Sequence, residues 1–122
     1  MNRRHNGHVL VVEDDPVIRD VLSELAHDRG FETAVAGNGR DALTLATADD
    51  PELVLLDLNM PVMDGPSFAR EYRRRGGRAA ILVLSSTPQA TADLRGVQVD
   101  GFLQKPFRVE DVERALGNSL RR

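Results

Sequence analysis

Carboxylates, hydroxyls and one lysine stand at the ends of short apolar runs in this chain. Leu53-Val54-Leu55-Leu56 is an unbroken apolar stretch that stops at Asp57; Asn59-Met60-Pro61 and Asp64-Gly65-Pro66 follow it. A short apolar run bounded by Pro and Gly predicts a buried strand leaving a sheet. Asp14-Asp15 close a Val-rich run, Ser85-Ser86 follow Leu84, and Lys105-Pro106 follow Phe102-Leu103-Gln104. Crowded carboxylates are unfavourable unless a cation neutralises them. An all-oxygen donor set without His or Cys suits a hard ion, Mg²⁺ with Mn²⁺ as a possible substitute, rather than Zn²⁺. A metal, an ammonium group and a hydroxyl around a carboxylate make a site for a phosphoryl group. Positioning and charge stabilisation are the main needs of its transfer. Asp57 is the expected nucleophile, forming an acyl phosphate, with Lys105 and Ser85 beside it.

These groups need a scaffold that brings them to one edge. Strand patterns are predicted at 8–13, 31–36, 53–56, 79–84 and 101–104. Helices are predicted after Asp15-Pro16 up to Gly30, at about 40–48, 66–75 and 109–120, with a short, weak one at 89–96. Asp15 suits an N-cap and Pro16 the first helical position. Five strands alternating with helices predict a doubly wound, five-stranded parallel sheet, a three-layer α/β/α domain. In such a sheet the C-terminal strand ends share one edge, where ligands bind. Residues 1–122 are expected to form one domain, with an ordered core over about 7–120 and an N-terminal tail over 1–6.

Composition narrows the partners. The chain has 122 residues with a formal net charge of −3 and no cysteine. It therefore offers no disulfide framework and no electrostatic case for direct nucleic-acid binding. No apolar stretch approaches the roughly 18 residues of a membrane span, and no leader pattern precedes the first strand, so a cytoplasmic location is expected. Of 16 basic residues, only Lys105 is a lysine. Lysine offers a compact point charge where arginine offers a planar fork, so its retention marks that position. Arg73-Arg74-Arg75 with Arg78 predict a solvated helix face.

The motifs Val11-Val12-Glu13-Asp14-Asp15, Leu55-Leu56-Asp57-Leu58-Asn59-Met60-Pro61 with Asp64-Gly65, Leu84-Ser85 and Gly101-Phe102-Leu103-Gln104-Lys105-Pro106-Phe107 resemble the receiver domain of bacterial response regulators. The resemblance runs through nearly the whole chain, and it implies the flavodoxin-like (βα)5 fold. It further implies that Asp57 takes a phosphoryl group from a histidine kinase or histidine phosphotransfer protein. Asp14, Asp15, Asp57 and the backbone carbonyl of Asn59 would hold Mg²⁺. Ser85 and Phe102 would be the switch pair, Lys105 the phosphate-contacting lysine, and Lys105-Pro106 a cis bond. The implied product is a signalling switch rather than an enzyme of turnover, although it promotes its own phosphorylation and dephosphorylation. Its output passes to a protein partner or a fused effector domain, as a monomer or a phosphorylation-dependent dimer. The stretch between Ser85 and Lys105 is shorter than the family usually shows, and Pro88 and Gly96 leave little room for a regular helix there.

Two other functions compete. One is a docking module that has dispensed with phosphorylation, against which Asp57, Ser85 and Lys105 stand. The other is a Mg²⁺-dependent phosphohydrolase with an aspartyl nucleophile. Such enzymes usually place an Asp two residues later as acid/base, and here Asn59 stands there.

Overall fold

The computed structural model describes residues 7–86 and 92–120, the side chains of 118–120 excepted. The expected N-terminal tail lies outside the described residues. The elements are β1 (His8–Val12), α1 (Pro16–Asp28), β2 (Glu32–Ala36), α2 (Gly39–Ala48), β3 (Leu53–Asp57), α3 (Gly65–Arg74), β4 (Ala80–Ser85), β5 (Gly101–Gln104) and α4 (Val109–Leu120). All neighbouring strands pair in parallel in the order β2-β1-β3-β4-β5.

The core has two layers because successive strand side chains point to opposite faces. Leu10, Val12, Val54, Leu56, Ile81 and Val83 pack with Ala42, Phe68 and Tyr72 of α2 and α3. Val9, Val11, Leu53, Leu55, Leu82 and Leu84 pack with Leu22 and Ala26 of α1 and with Val112 and Leu116 of α4. The central strands, covered on both faces, are therefore continuously apolar.

Helix starts follow the capping residues. The Asp15 carboxylate accepts from the Val17 and Ile18 N–H groups, with Pro16 opening α1. Asn38 caps α2 and Asp64 caps α3, their side chains accepting from Asp41 N and Ser67 N. Such a cap satisfies N–H groups that the helix leaves without partners.

The helix expected over 89–96 falls partly outside the described residues. In the described part, residues 92–94 form a single 3-10 turn, and Arg95 N–H donates to Ala92 O over 3.2 Å. Leu94 is buried in the α2–α3 layer, with Val97 and Val99 packed against it. In its described part the connection is thus packed through Leu94, Val97 and Val99.

Candidate functional site: an acidic pocket closed by a lysine

The side-chain rows that build the core continue past the strand ends and become polar. Val9 and Val11 pair with Leu53 and Leu55; two residues further along the same rows stand Glu13 and Asp57. Glu13 N–H still donates to Ala36 O at 3.0 Å, so the strand geometry carries on to it. Lys105 follows Leu103 in the same way, its N–H donating to Ser85 O at 2.8 Å. Period-two alternation thus brings three charged groups to one end of one face.

Lys105 Nζ lies 2.9 Å from Glu13 Oε1 and 3.1 Å from Asp57 Oδ1. The Glu13 and Asp57 side chains are only 1% and 7% exposed, and Lys105 is 16% exposed. Asp14 completes the group at the solvent side: one carboxylate oxygen each from Glu13, Asp14 and Asp57 lie within 4.8 Å of one another. Burial pushes the Asp57 and Glu13 carboxyls above the ordinary carboxylate range, although Lys105 pulls both down. Asp14 presses Asp57 further up. Burial alone would lower the Lys105 ammonium, but hydrogen bonds and charge from Glu13 and Asp57 outweigh it and hold the lysine above its usual value. The pocket thus holds three carboxylates against one cation, a deficit that a hard divalent ion would correct.

Asp14, Asp57 and Lys105 come together as the sequence suggests, but Asp15 does not join them. Its carboxylate is committed to the α1 N-cap, and Glu13 takes its place beside Asp14. This placement has a sequence signal: Asp15 before Pro16 already has a capping role, and Glu13 is the residue in phase with Val9 and Val11. Ser85 is buried at the end of β4, one residue past the Leu84 that pairs with Asp57. Asn59 is exposed just beyond β3. Phe102 lies on β5 and is 55% exposed, and the Lys105-Pro106 bond is cis.

The arginine run also departs from expectation. Arg74 and Arg75 pair with Glu71 on the surface of α3. Arg73 instead turns inward across the connection to β5, donating to Gln98 O at 3.1 Å and Gly77 O at 3.0 Å.

A parallel sheet with a buried carboxylate, two acidic neighbours and a lysine at its C-terminal edge defines a phosphoryl-handling α/β domain. Residues 9–117 match the response regulator receiver domain family, and the chain belongs to it: it is a receiver domain of two-component signalling. It is 37% identical to the alkaline phosphatase synthesis transcriptional regulatory protein SphR of Synechococcus elongatus, over 95% of this chain and 49% of that protein. It is 34% identical to the DNA-binding response regulator MtrA of Mycolicibacterium smegmatis, over 93% of this chain and 50% of that protein. The chain thus spans about half the length of these relatives. Among solved structures, the chemotaxis response regulator CheY4 of Vibrio cholerae superposes with a TM-score of 0.86 at 32% identity, covering 93% of this chain and 98% of that one. No helix among the described residues is long and apolar enough to cross a membrane.

Proposed function

We propose that Asp57 is the phosphoryl acceptor of this receiver domain, with a histidine kinase or a histidine phosphotransfer protein as donor. The observation that carries this reading is the buried Asp57 carboxylate at the end of β3, bonded to Lys105 and flanked by Glu13 and Asp14.

A carboxylate oxygen of Asp57 attacks the phosphorus of a phosphohistidine. The new P–O bond forms as the P–N bond breaks, and the departing imidazole nitrogen keeps the electron pair and takes a proton from solvent. Water attack on phosphorus later returns the carboxylate and inorganic phosphate. Lys105 holds a positive charge where the phosphoryl oxygens gather, and Ser85 supplies a hydroxyl donor from the neighbouring strand end. Glu13, Asp14, Asp57 and the Asn59 carbonyl would hold Mg²⁺, with Mn²⁺ as a substitute; the ion would offset charge on the transferring group. Glu13 replaces Asp15 in this set. The phosphoryl charge then biases a two-state equilibrium, with Ser85 and Phe102 as the coupled pair. The chain acts in this reading as a single domain in the cytoplasm, passing its state to a protein partner or a fused effector, as a monomer or a phosphorylation-dependent dimer.

Phosphoramidate with Mg²⁺ tests the assignment. Intact-mass spectrometry is expected to show one added phosphoryl group that is acid-stable, base-labile and absent from Asp57→Asn. An equal adduct on Asp57→Asn overturns it. A folded wild type that takes no label points to a docking module instead, and rapid turnover of phosphate esters to a hydrolase.

A further inference from the structure

We infer that Arg73 is a positioning residue for Lys105: through Asp100 it sets the start, and so the register, of the strand that carries the lysine into the site. The inference rests on the phosphoacceptor reading and adds a residue on α3, outside the pocket.

β5 needs such help. It has four residues and lies at the edge of the sheet, paired to β4 alone. Register is weakly specified where a strand has no fully buried face, as in β5, whose residues alternate between half-buried and exposed; a slip of one residue turns every side chain to the opposite face. Such a slip would take Lys105 away from Glu13 and Asp57. The C-terminal end of β5 is tied by Lys105 N–H to Ser85 O.

Its N-terminal end is tied by Asp100. The Asp100 N–H donates to Ile81 O at 2.8 Å, and its carboxylate accepts from Ile81 N–H at 2.8 Å. This pair of hydrogen bonds between the two segments fixes the observed alignment of β5 on β4: Leu82 opposite Gly101, Ser85 opposite Gln104.

Arg73 secures that tie from outside the sheet. Its Nη2 lies 3.4 Å from Asp100 Oδ2, with both side chains about three-quarters covered. Its Nε and Nη1 hold the carbonyls of Gln98 and Gly77. The guanidinium lies over the Tyr72 ring, 5.6 Å from its centre. The fork therefore has one anchor on its own helix end, one on the incoming connection and one on the residue that opens β5. A lysine cannot reproduce that planar set of contacts. Arg70 adds a second grip one turn earlier, donating to Asp93 O at 2.7 Å.

The experiment compares wild type, Arg73→Ala, Asp100→Asn and, as a surface control, Arg74→Ala. Three quantities are read: phosphorylation rate at saturating phosphoramidate, Mg²⁺ affinity by calorimetry, and amide exchange strand by strand. Arg73→Ala is expected to lower the maximal rate about tenfold, since small misplacements of a charge-stabilising group have effects of this order or larger. Its Mg²⁺ affinity does not fall, because Lys105 is not among the proposed ligands and a displaced ammonium leaves Glu13 and Asp57 to the ion. Exchange rises in β5 while β1 and β3 stay protected. Asp100→Asn keeps an acceptor for Ile81 N–H and shows the same pattern more weakly, and it stands in if Arg73→Ala does not fold. Unchanged rate or unchanged β5 exchange in Arg73→Ala overturns the inference. So does a uniform loss of protection in all strands together with weaker Mg²⁺ binding. If wild type itself takes no phosphoryl group, the phosphoacceptor reading fails, and the exchange data alone decide whether Arg73 fixes β5.

Discussion

Burial and acidic neighbours hold the Asp57 carboxylate in an unfavourable state, which suits it to the proposed phosphoacceptor role. Burial opposes its charge, and Glu13 and Asp14 add to the opposition. Asp57→Asn is therefore expected to raise stability by roughly 0.5–2 kcal/mol in chelator-treated buffer at neutral pH, read from the urea midpoint at constant m-value. The sign follows from linkage: a carboxyl raised in the folded state stabilises while protonated and loses that contribution as pH rises through its folded value. The advantage of Asn thus shrinks as the pH falls. Mg²⁺ should stabilise wild type more than the variant, since only wild type keeps the full ligand set. A second strained residue lies nearby. Val62 has φ +69° and is 70% exposed, and Met63 N–H bonds back to Pro61 O at 2.7 Å. A β-branched residue at this φ is held against its preference. Val62→Gly should gain about 1 kcal/mol in thermal or urea unfolding, the released strain exceeding glycine's entropic cost. At this scale the sequence was informative about residue type and less so about assignment. Asp57 and Lys105 stood out by position, whereas the Asp14-Asp15 doublet drew attention from Glu13. Strand parity brings Glu13 to Asp57, Asp14 joins them from the solvent side, and the N-cap bonds of Asp15 keep it out.

Elements hold the site through two close approaches. A Cβ on Gly65 would lie 2.4 Å from Asp57 O and 2.8 Å from Leu58 Cα, both backbone atoms, so α3 starts directly against the end of β3. Gly65→Ala must displace one or the other. We expect a loss of 1–3 kcal/mol, as in overpacked cores, together with slower phosphoryl uptake, because Asp57 moves with β3. The other end of α3 is fixed by Tyr72, whose hydroxyl donates to Asp50 Oδ1 at 2.6 Å and accepts from Ala79 N–H at 2.8 Å. Burial, aided by the bond to Asp50, pushes the phenol up to about 12 from its ordinary 10.0. Its contribution to stability is complete below pH 10 and fades as pH rises toward 12. Tyr72→Phe leaves the buried Ala79 N–H without its acceptor and should cost about 1–3 kcal/mol at pH 8. The gap to wild type should narrow between pH 10 and 12, as followed by urea unfolding. The apolar periods made the strands and the four long helices legible, and caps such as Asp15 and Asp64 marked where helices begin. The connection from β4 to β5 was not legible. Its described part is secured by Leu94 and by arginine bonds to backbone carbonyls, contacts that leave no periodic trace in the sequence.

Across the whole molecule, Lys105 joins parts of the chain that are far apart in sequence. Its ammonium ties β5 to the ends of β1 and β3, separated from it by 92 and 48 residues. Two of the three strands it joins are central, and β5 is an edge, so the lysine links the least supported strand to the most supported ones. Removing one partner of a covered ion pair is costly because the remaining charges are left uncompensated. Lys105→Ala should therefore lose about 3 kcal/mol without divalent ions, a modest loss for a covered pair because Asp14 faces solvent. Two further measurements separate this electrostatic role from lost packing. Lys105→Ala combined with Asp57→Asn should cost less than the sum of the single changes, since neutral Asn no longer requires the cation. Saturating Mg²⁺ should recover much of the stability of Lys105→Ala, because the ion supplies the positive charge the lysine gave. Strict additivity in the double variant, with no recovery in Mg²⁺, would assign the loss to packing of the lysine stem and remove the ammonium from its place as the counter-charge of the pocket. Non-additivity with recovery would establish that lysine and metal answer the same excess of carboxylate charge. The C-terminal edge of the sheet would then be stable only with that excess neutralised, and a phosphoryl group arriving at Asp57 would change the balance for all three strands at once.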